Sequence, residues 1–325
     1  MQDLFGRKIT YLRLSVTDRC DFRCTYCMAE KMDFLPRSEI LSLEECLRVA
    51  KTFVSLGVDK IRLTGGEPLV RKDFPWLAAR IRELPGLREL ALTSNGSQLP
   101  SLAVPLAQSG IDRVNISLDS LVPDTFKRIT RTGDLHQVLA GLDAAIAAWG
   151  SRRIKLNTVL LRGINHHELS DMVKFSLARG MDISFIEQMP MGDTGSQRTD
   201  TYYSNEEALA QLKQHFDLVS SEENSGGPAR YWRIPGHEPR IGFISPHSQN
   251  FCADCNRMRV TARGELFPCL GNAGMVDLLP AVRAGDDVGL RELILQAVAA
   301  KPQAHEFNPA QAQPAIMRFM SRTGG

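Results

Sequence analysis

The stretch that most constrains the fold is residues 11–27, which read YLRLSVTDRCDFRCTYC. Residues 11–16 have the pattern of a β-strand. Three cysteines follow within eight residues, Cys20, Cys24 and Cys27, in the spacing C-x3-C-x2-C. A loop that directly follows a strand lies at the end where parallel α/β folds bind their ligands. The sequence therefore predicts a cysteine site at that end of the first strand.

Strand and helix patterns alternate outward from this stretch, at a spacing of roughly 25–35 residues. The predicted strands are residues 11–16, 60–64, 89–93, 113–118, 154–160 and 182–187. The predicted helices are residues 43–56, 74–84, 102–109, 138–148 and 165–178. Ser42 and Glu45 form a capping box at the first helix, and Gly57 is placed to end it. Six such units predict parallel strands with right-handed crossovers, in an incomplete (β/α)6 barrel of the α/β class.

The pattern changes after Met191. A polar loop, a helix at residues 203–216 and short strands broken by Pro235 and Pro239 are expected. A second cysteine cluster follows, then a helix near residues 290–299. The sequence predicts two parts: a partial barrel over residues 1–225 and a C-terminal region over residues 226–325. We infer nothing about the segment of residues 221–239.

Composition excludes several classes of function. The 325 residues are 43% hydrophobic and carry 39 Lys and Arg against 37 Asp and Glu, a net charge of +2. Bulk charge therefore gives no reason to expect binding to nucleic acid or to a membrane surface. No apolar run is long enough for a membrane span, and the N-terminus lacks a secretory pattern, so we expect a cytoplasmic protein with reduced thiols.

Six of the seven cysteines form two triads, and an odd total excludes a complete internal disulfide framework. The second triad is Cys252, Cys255 and Cys269. Each triad could hold zinc if a histidine such as His247 or His305 completed it. Each could instead hold a [4Fe–4S] cluster with one iron left open, and the residues alone leave both alternatives standing. Cys46 lies in an apolar stripe with helical spacing and is expected to be a buried core thiol.

Polar residues or glycines end all six predicted strands. They are the first cysteine triad, Thr64-Gly65-Gly66-Glu67-Pro68, Thr93-Ser94-Asn95-Gly96, Ser117-Leu118-Asp119-Ser120, Asn157-Thr158 and Glu187-Gln188-Met189-Pro190. A single glycine pair usually marks only a turn. Six successive polar strand ends predict one ligand site.

Together these residues resemble the radical S-adenosylmethionine enzymes, whose signature is C-x3-C-x2-C after the first strand. Cys20, Cys24 and Cys27 match it, with Tyr26 as the expected aromatic residue before the last cysteine. The segment from Gly65 to Pro68 looks like the one that binds the amino group of S-adenosylmethionine. The resemblance implies a [4Fe–4S] cluster that reductively cleaves this cofactor to a 5′-deoxyadenosyl radical, with the protein positioning and shielding it.

A narrower resemblance is to the GTP 3′,8-cyclase family of molybdenum cofactor biosynthesis. It is carried by residues 12–20, 185–191 and 251–259 and by the terminal Gly324-Gly325, and it spans the chain from Leu4 to Gly325. It implies a second [4Fe–4S] cluster on Cys252, Cys255 and Cys269, whose open iron binds guanine. The radical would take H3′ from GTP, and C3′ would then attack C8 to give 3′,8-cyclo-7,8-dihydro-GTP.

The same resemblance assigns residues to the two small molecules. For S-adenosylmethionine they are Tyr26, Gly66, Ser117 and Met189, with Asp119, Asn157 and Glu187 behind them. For GTP they are Arg13, Arg62, Thr93, Lys155, Arg257, Met258 and Arg259. Among these it marks Arg13, Arg257 and Arg259 as catalytic, together with the tail glycines Gly324 and Gly325.

Several of these assignments have a simpler alternative. Arg13, Arg62 and Lys155 could form solvent-facing ion pairs, and Arg257 and Arg259 could alternate on an exposed strand. Ser117 could be a turn residue and Met189 core filler. The tail could be a frayed terminus, because glycine loses the most entropy on ordering.

The resemblance also implies partners: GTP, a flavodoxin-like reductant and a downstream cyclic pyranopterin monophosphate synthase. It leaves a homodimer open and implies no nucleic acid or membrane. Two rivals remain at this point. One is another radical enzyme with an auxiliary cluster, such as a peptide maturase, although such regions usually carry more cysteines. The other is a non-catalytic zinc protein that binds nucleic acid, which the low net charge disfavours.

Overall fold

The computed structural model describes residues 1–195, 198–223, 226–307, 314 and 316–324. In this part of the chain twelve strands form one sheet. In chain order they are β1 (Tyr11–Ser15), β2 (Lys60–Thr64), β3 (Glu89–Ser94), β4 (Arg113–Ser117), β5 (Ile154–Leu160), β6 (Asp182–Glu187), β7 (Val219–Ser221), β8 (Arg230–Arg233), β9 (Arg240–Ile244), β10 (Arg257–Val260), β11 (Glu265–Phe267) and β12 (Val276–Asp277).

The centre of the sheet is parallel. Strands β10, β1, β2, β3, β4, β5, β6 and β9 lie side by side in that order, and each pairs parallel with the next. Antiparallel strands extend both margins, β11 and β12 on one side and β8 and β7 on the other. The described strands therefore form an incomplete, open barrel, as predicted. The sequence did not reveal that two of the eight parallel strands, β9 and β10, come from the C-terminal region.

Helices cover the outside of this sheet. The described α-helices are α1 (Leu43–Ser55), α2 (Phe74–Arg82), α3 (Leu99–Gln108), α4 (Pro123–Thr130), α5 (Leu135–Trp149), α6 (Leu169–Ala178), α7 (Arg198–Thr201), α8 (Asn205–Leu212), α9 (Leu279–Ala284), α10 (Asp287–Ala299) and α11 (Met320–Thr323). Neighbouring helices of the barrel pack on one another, α1 on α2, α2 on α3 and α3 on α5.

Local sequence signals explain most element boundaries. The capping box of Ser42 and Glu45 is formed at α1, and Gly57 follows the helix with a φ of +95°. Strands β2, β5 and β6 have the predicted bounds. Helix α3 begins three residues before its prediction, because Pro100 is accommodated in its first turn. Helix α4 was not predicted.

Alternation along the strands separates the core from the barrel interior. Leu12, Leu14, Ile61 and Leu63 point outward, are fully buried and belong to the main hydrophobic core. Residues between them point inward, because side chains two apart in a strand share a face. Cys46 is fully buried on α1, which confirms the core assignment.

The predicted division between residues 225 and 226 falls between β7 and β8, which are hydrogen-bonded neighbours. It stays a prediction of domain organisation. Among the described residues, no helix has the length and apolar character that crossing a membrane requires.

Candidate active site

The inner face of the barrel encloses a cavity of about 2210 Å³, measured to include its open mouth. All six cysteines of the two triads line it. The fold thus brings together two triads that are more than 220 residues apart in sequence.

The loop that carries the first triad is held by the ends of β2 and β3. The Gly66 amide donates to the Thr17 carbonyl at 2.8 Å, and the Glu67 amide donates to that of Arg19 at 2.8 Å. A Cβ on Gly66 would lie 2.4 Å from the Arg19 carbonyl oxygen, so only glycine permits this approach. Gly66 also lines the cavity, so both its backbone and its lack of a side chain shape the site.

Glu67 holds the end of β3 in place through buried hydrogen bonds. Its buried carboxylate accepts the Ser94 hydroxyl at 2.9 Å and the Asn95 amide at 2.6 Å. The Asn95 side chain in turn donates to Asp21, inside the cysteine loop, at 2.6 Å. Burial raises the pKa of Glu67 to about 8, because the backbone donors only partly offset the loss of water. Sequence reasoning placed this segment in the site but did not foresee its structural role.

The first triad suits a thiolate-bound cluster. Its thiols are half-buried and not joined in disulfides. Burial raises the pKa of Cys27 to about 12, so the thiol stays protonated unless a metal displaces the proton. The Phe22 amide donates to the Cys20 sulfur at 3.3 Å. Amide donors to sulfur are one of the means by which proteins tune iron–sulfur clusters.

The predicted S-adenosylmethionine residues gather next to this triad. Tyr26, Gly66, Ser117 and Met189 all line the cavity. The Tyr26 hydroxyl donates to Asp119 at 2.7 Å, and burial raises the pKa of Asp119 to about 6. Behind them, Asn157 lines the cavity with a buried side-chain oxygen that has no hydrogen-bond partner in the described structure. An unpaired acceptor of this kind suits a ligand hydroxyl or amine.

Glu187, the last of the residues predicted to support this group, accepts backbone hydrogen bonds from Asn205 and His247 at 3.0 Å each. It also accepts the Ser248 hydroxyl at 2.6 Å. Its carboxylate therefore ties α8 and the loop after β9 to the end of β6, where Glu187, Gln188 and Met189 line the cavity.

The second triad lies on the segments flanking β10 and β11. Cys252 and Cys255 precede β10, whereas the first triad follows β1, the parallel neighbour of β10. Arg7 donates to the Cys252 carbonyl at 2.8 Å, and Lys301 donates to the Arg257 carbonyl at 2.9 Å. Burial acts to raise the pKa of Cys255, but the charges of Arg257 and Lys301 outweigh it and bring the pKa to about 7. Cys255 therefore has a positive environment that stabilises its thiolate, whereas burial raises the pKa of Cys269.

Zinc completed by histidine was the alternative for both triads. His305 lines the cavity, whereas the His247 ring lies 3.1 Å from the Gln188 carbonyl. In the described part of the chain, no three His, Cys, Asp or Glu side chains converge as a site for a single metal ion requires. The assignment of the triads to iron–sulfur clusters therefore rests on their three thiol donors and on the groups that surround them.

Five basic side chains and Tyr11 form two rows beside the second triad. Strand register aligns Arg259, Arg13 and Arg62 across β10, β1 and β2. One layer below, the same three strands align Arg257, Tyr11 and Lys60. All six line the cavity, so the alternative of an exposed strand is wrong for Arg257 and Arg259.

The remaining predicted substrate residues divide. Lys155 and Thr93 line the same cavity, whereas Met258 is buried and belongs to the outward hydrophobic core. Its side chain therefore faces away from the cavity, because it alternates with Arg257 and Arg259 along β10. Any contact of Met258 with a ligand would have to use its backbone.

Two tyrosines that the sequence reasoning missed hold two of the cations. Arg62 donates through Nε to the Tyr11 hydroxyl at 2.7 Å and through Nη1 to the Leu92 carbonyl at 3.0 Å. Lys155 donates to the Tyr231 hydroxyl at 3.0 Å. Neither Arg62 nor Lys155 is a solvent-facing ion pair, since both are buried. Arg113 and Lys60 were also missed and line the cavity.

The crowded cations perturb one another. Burial lowers the pKa of Arg259 well below its ordinary value, and the charges of Arg13 and Arg257 lower it further. Burial likewise lowers the pKa of Lys155. The Lys60–Glu89 pair at 3.1 Å offsets only part of this charge. A polyanion would relieve the repulsion, and arginine forks suit phosphate.

The C-terminal tail enters the cavity. Gly324 is buried, and a Cβ there would lie 2.1 Å from the Thr64 hydroxyl and 3.4 Å from the Ser15 Cβ, at the ends of β2 and β1. Arg259 donates to the Gly324 carbonyl. The frayed-terminus alternative is therefore wrong for the described tail. Gly325 lies outside the described residues.

Two family models match successive parts of the chain. The Radical SAM superfamily matches residues 14–176, and Molybdenum Cofactor Synthesis C matches residues 181–307. Curated relatives match nearly the whole chain. Proteins named GTP 3′,8-cyclase from Pseudomonas entomophila (strain L48) and Pseudomonas putida (strain F1) are 56% and 57% identical, over 99% of this chain and 97% of each relative. One from Saccharophagus degradans is 51% identical over 99% of this chain and 98% of its own length.

Solved structures share the fold at low identity. Streptococcus suis SuiB bound to S-adenosylmethionine has a TM-score of 0.63 at 14% identity, covering 97% of this chain and 77% of that one. SuiB bound to its precursor peptide SuiA has a TM-score of 0.60 at 16% identity, covering 98% and 76%. At such identities the likeness concerns the fold alone.

Proposed function

The chain belongs to the GTP 3′,8-cyclase family of the radical S-adenosylmethionine superfamily, and from this premise we propose that it converts GTP to (8S)-3′,8-cyclo-7,8-dihydro-GTP. One observation carries the proposal: both cysteine triads and a buried cluster of cations line a single cavity. A radical generator, a second metal site and a triphosphate site in one cavity are the parts that this reaction needs.

The residues divide this cavity by chemistry. Cys20, Cys24 and Cys27 would hold the first cluster, and Tyr26, Gly66, Ser117 and Met189 would seat S-adenosylmethionine beside it. When bound, the cluster and this cofactor together supply a carbon-centred radical that removes a hydrogen atom from the substrate. The role of the chain is to fix the distance between that cofactor and the substrate ribose and to keep water away.

The opposite side of the cavity would bind GTP. Arg13, Arg62 and Lys155 would contact the triphosphate, with Thr93 near the ribose. Cys252, Cys255 and Cys269 would hold the second cluster, beside which Arg257 and Arg259 frame the base. The tyrosines on Arg62 and Lys155 restrict both cations, so less side-chain entropy is lost when phosphate binds.

The rivals are weaker. A peptide-modifying enzyme could share the fold, since SuiB, solved with its precursor peptide SuiA, has a similar one. Relatives at 51–57% identity carry the cyclase name instead. A zinc protein that binds nucleic acid would need exposed basic surface, whereas these cations face inward. We include in the proposal a cytoplasmic location, a flavodoxin-like electron donor, a downstream cyclic pyranopterin monophosphate synthase and assembly as a homodimer.

The test is anaerobic purification followed by an assay. The protein should be brown and carry about eight irons per chain, two four-iron clusters' worth. Incubation with GTP, S-adenosylmethionine and dithionite should give the cyclised nucleotide and 5′-deoxyadenosine in equal amounts. A colourless protein with stoichiometric zinc, or 5′-deoxyadenosine with no cyclised nucleotide, would contradict the proposal.

A further inference from the structure

We propose that Arg318 is the positioning residue that couples the loop of the second triad to the insertion of the C-terminal tail. The proposal rests on the function proposed above for that triad. It concerns residues 267–272, here called the second loop, and residues 316–324, called the tail. The two segments meet at the Arg318 side chain.

Arg318 binds the second loop in two ways. Its Nη2 donates to the carbonyls of Leu270 and Asn272, at 3.1 and 2.9 Å. Its guanidinium also stacks 3.8 Å from the centre of the Phe267 ring. These contacts bracket Cys269 in the sequence, so they depend on the shape that the loop takes around that cysteine.

The second loop is also held from its other side. The Glu306 amide donates to the Gly271 carbonyl at 3.0 Å, and Asn272 donates to the Glu306 side chain at 2.8 Å. A Cβ on Gly271 would lie 2.8 Å from that of His305. The loop is therefore a packed surface with little freedom, which makes it a firm anchor for Arg318.

Beyond Arg318 the tail runs to the first triad and into the barrel. Phe319 packs so closely on Gly192 that a Cβ there would be 2.4 Å from its ring. Met320 and Ser321 line the cavity, and Gly324 reaches the ends of β1 and β2. Arg318 thus ties the start of this path to the loop of the second triad, Phe319 ties it to the loop after β6, and Arg259 binds its end at the Gly324 carbonyl.

A charged guanidinium making two hydrogen bonds and a stacking contact is a strong anchor. Losing it should release the tail locally without unfolding the barrel, because residues 316–324 supply no strand of the sheet. The second triad should then act on the reaction in two ways: by binding the base, and by holding the tail in the barrel through Arg318.

Hydrogen–deuterium exchange of the C-terminal peptide tests this in the full-length holoenzyme. Arg318→Met keeps the apolar stem but removes the donors and should speed exchange of the tail amides at least tenfold. Arg318→Lys, which keeps one donor, should be intermediate. Met317→Gln is the matched control, since Met317 is the adjacent residue and is 70% exposed. It should leave exchange unchanged.

A second arm joins the tail to the cysteine loop. Cys269→Ser should speed tail exchange as Arg318→Met does, and the double variant should add little, as expected for coupled residues. In Arg318→Met the Kd for GTP should stay within about twofold while the rate of cyclisation falls, which separates tail placement from substrate binding.

Tail exchange in Arg318→Met equal to that of Met317→Gln would overturn the proposal, even if Cys269→Ser failed to fold. Tail protection that survives Cys269→Ser would also overturn the coupling. Failure of the proposed function would be seen separately, as a wild-type protein without about eight irons or without cyclised nucleotide.

Discussion

Lys155 offers a change in which binding and stability should move in opposite directions. In Lys155→Met a buried cation disappears from a cavity that already contains Arg13 and Arg62. We expect GTP affinity to fall while the free energy of unfolding stays the same or rises. If Lys155 had only a structural role, replacing it would instead lower the free energy of unfolding and leave GTP affinity unchanged.

The magnitude follows from the contacts. A hydrogen bond to a charged group contributes about 1.5–3 kcal/mol, which corresponds to a roughly 10- to 150-fold weaker Kd for GTP. For stability the sign comes from the pKa. Burial lowers the pKa of Lys155, so the charged form is less stable in the folded protein than in the unfolded chain. This destabilisation of the folded protein is present at neutral pH. It fades as the pH rises from the pKa of Lys155 in the folded protein to the ordinary pKa of lysine in the unfolded chain.

The assay is GTP binding by calorimetry under anaerobic conditions, at two salt concentrations, together with thermal unfolding of the same samples. The loss of affinity should be smaller at high salt, since part of the lost attraction is electrostatic. The matched control is Lys174→Met, which removes an exposed lysine whose partner is Asp171 at 3.3 Å. It should change neither quantity. Less than threefold weaker binding, or a marked drop in melting temperature, would refute the assignment of Lys155 to the triphosphate.

Three further predictions concern the clusters, the base and the tail. Cys24→Ala should abolish S-adenosylmethionine cleavage, measured as 5′-deoxyadenosine. Cys255→Ala should retain some cleavage but lose the cyclised nucleotide. Normal product from Cys255→Ala would exclude the second triad from the substrate site. ATP should be turned over at least 100-fold less efficiently than GTP, because polar groups left unpaired by the wrong base reject it, and equal kcat/KM values for the two would contradict the base site. Gly324→Ala should reduce the rate of cyclisation sharply and leave iron content and GTP binding intact, because the new methyl would lie 2.1 Å from the Thr64 hydroxyl. Deletion of Gly324 and Gly325 should have the same effect. A full rate of cyclisation from either variant would show that the tail has no part in the reaction.

The sequence predicted the barrel well because its signals are local. Strand and helix periodicity, the Ser42–Glu45 capping box and the spacing of Cys20, Cys24 and Cys27 all lie within short windows of the chain. Such patterns are read from neighbours a few residues apart, so they survive without knowledge of the tertiary fold. The terminal glycines were also recognised as a candidate site, although only by resemblance.

Other features depended on pairing between distant segments. That β10 lies beside β1, which aligns Arg259 with Arg13 and Arg62, follows from strand register and from no local pattern. The sequence analysis assigned Met258 to GTP together with Arg257 and Arg259. Only the position of β10 in the sheet shows that the Met258 side chain faces the core.

What the sequence by itself determined, then, is the chemistry available: two cysteine triads, basic residues inside apolar strands and a glycine tail. What only the tertiary structure decided is which of these groups face one another. Only in the folded chain does Tyr11 pair with Arg62 and Tyr231 with Lys155, and only there does Arg318 join the tail to the loop of the second triad. The physical reason is that side-chain contacts across a barrel join residues far apart in the chain, and their geometry is set by packing and register rather than by local preference.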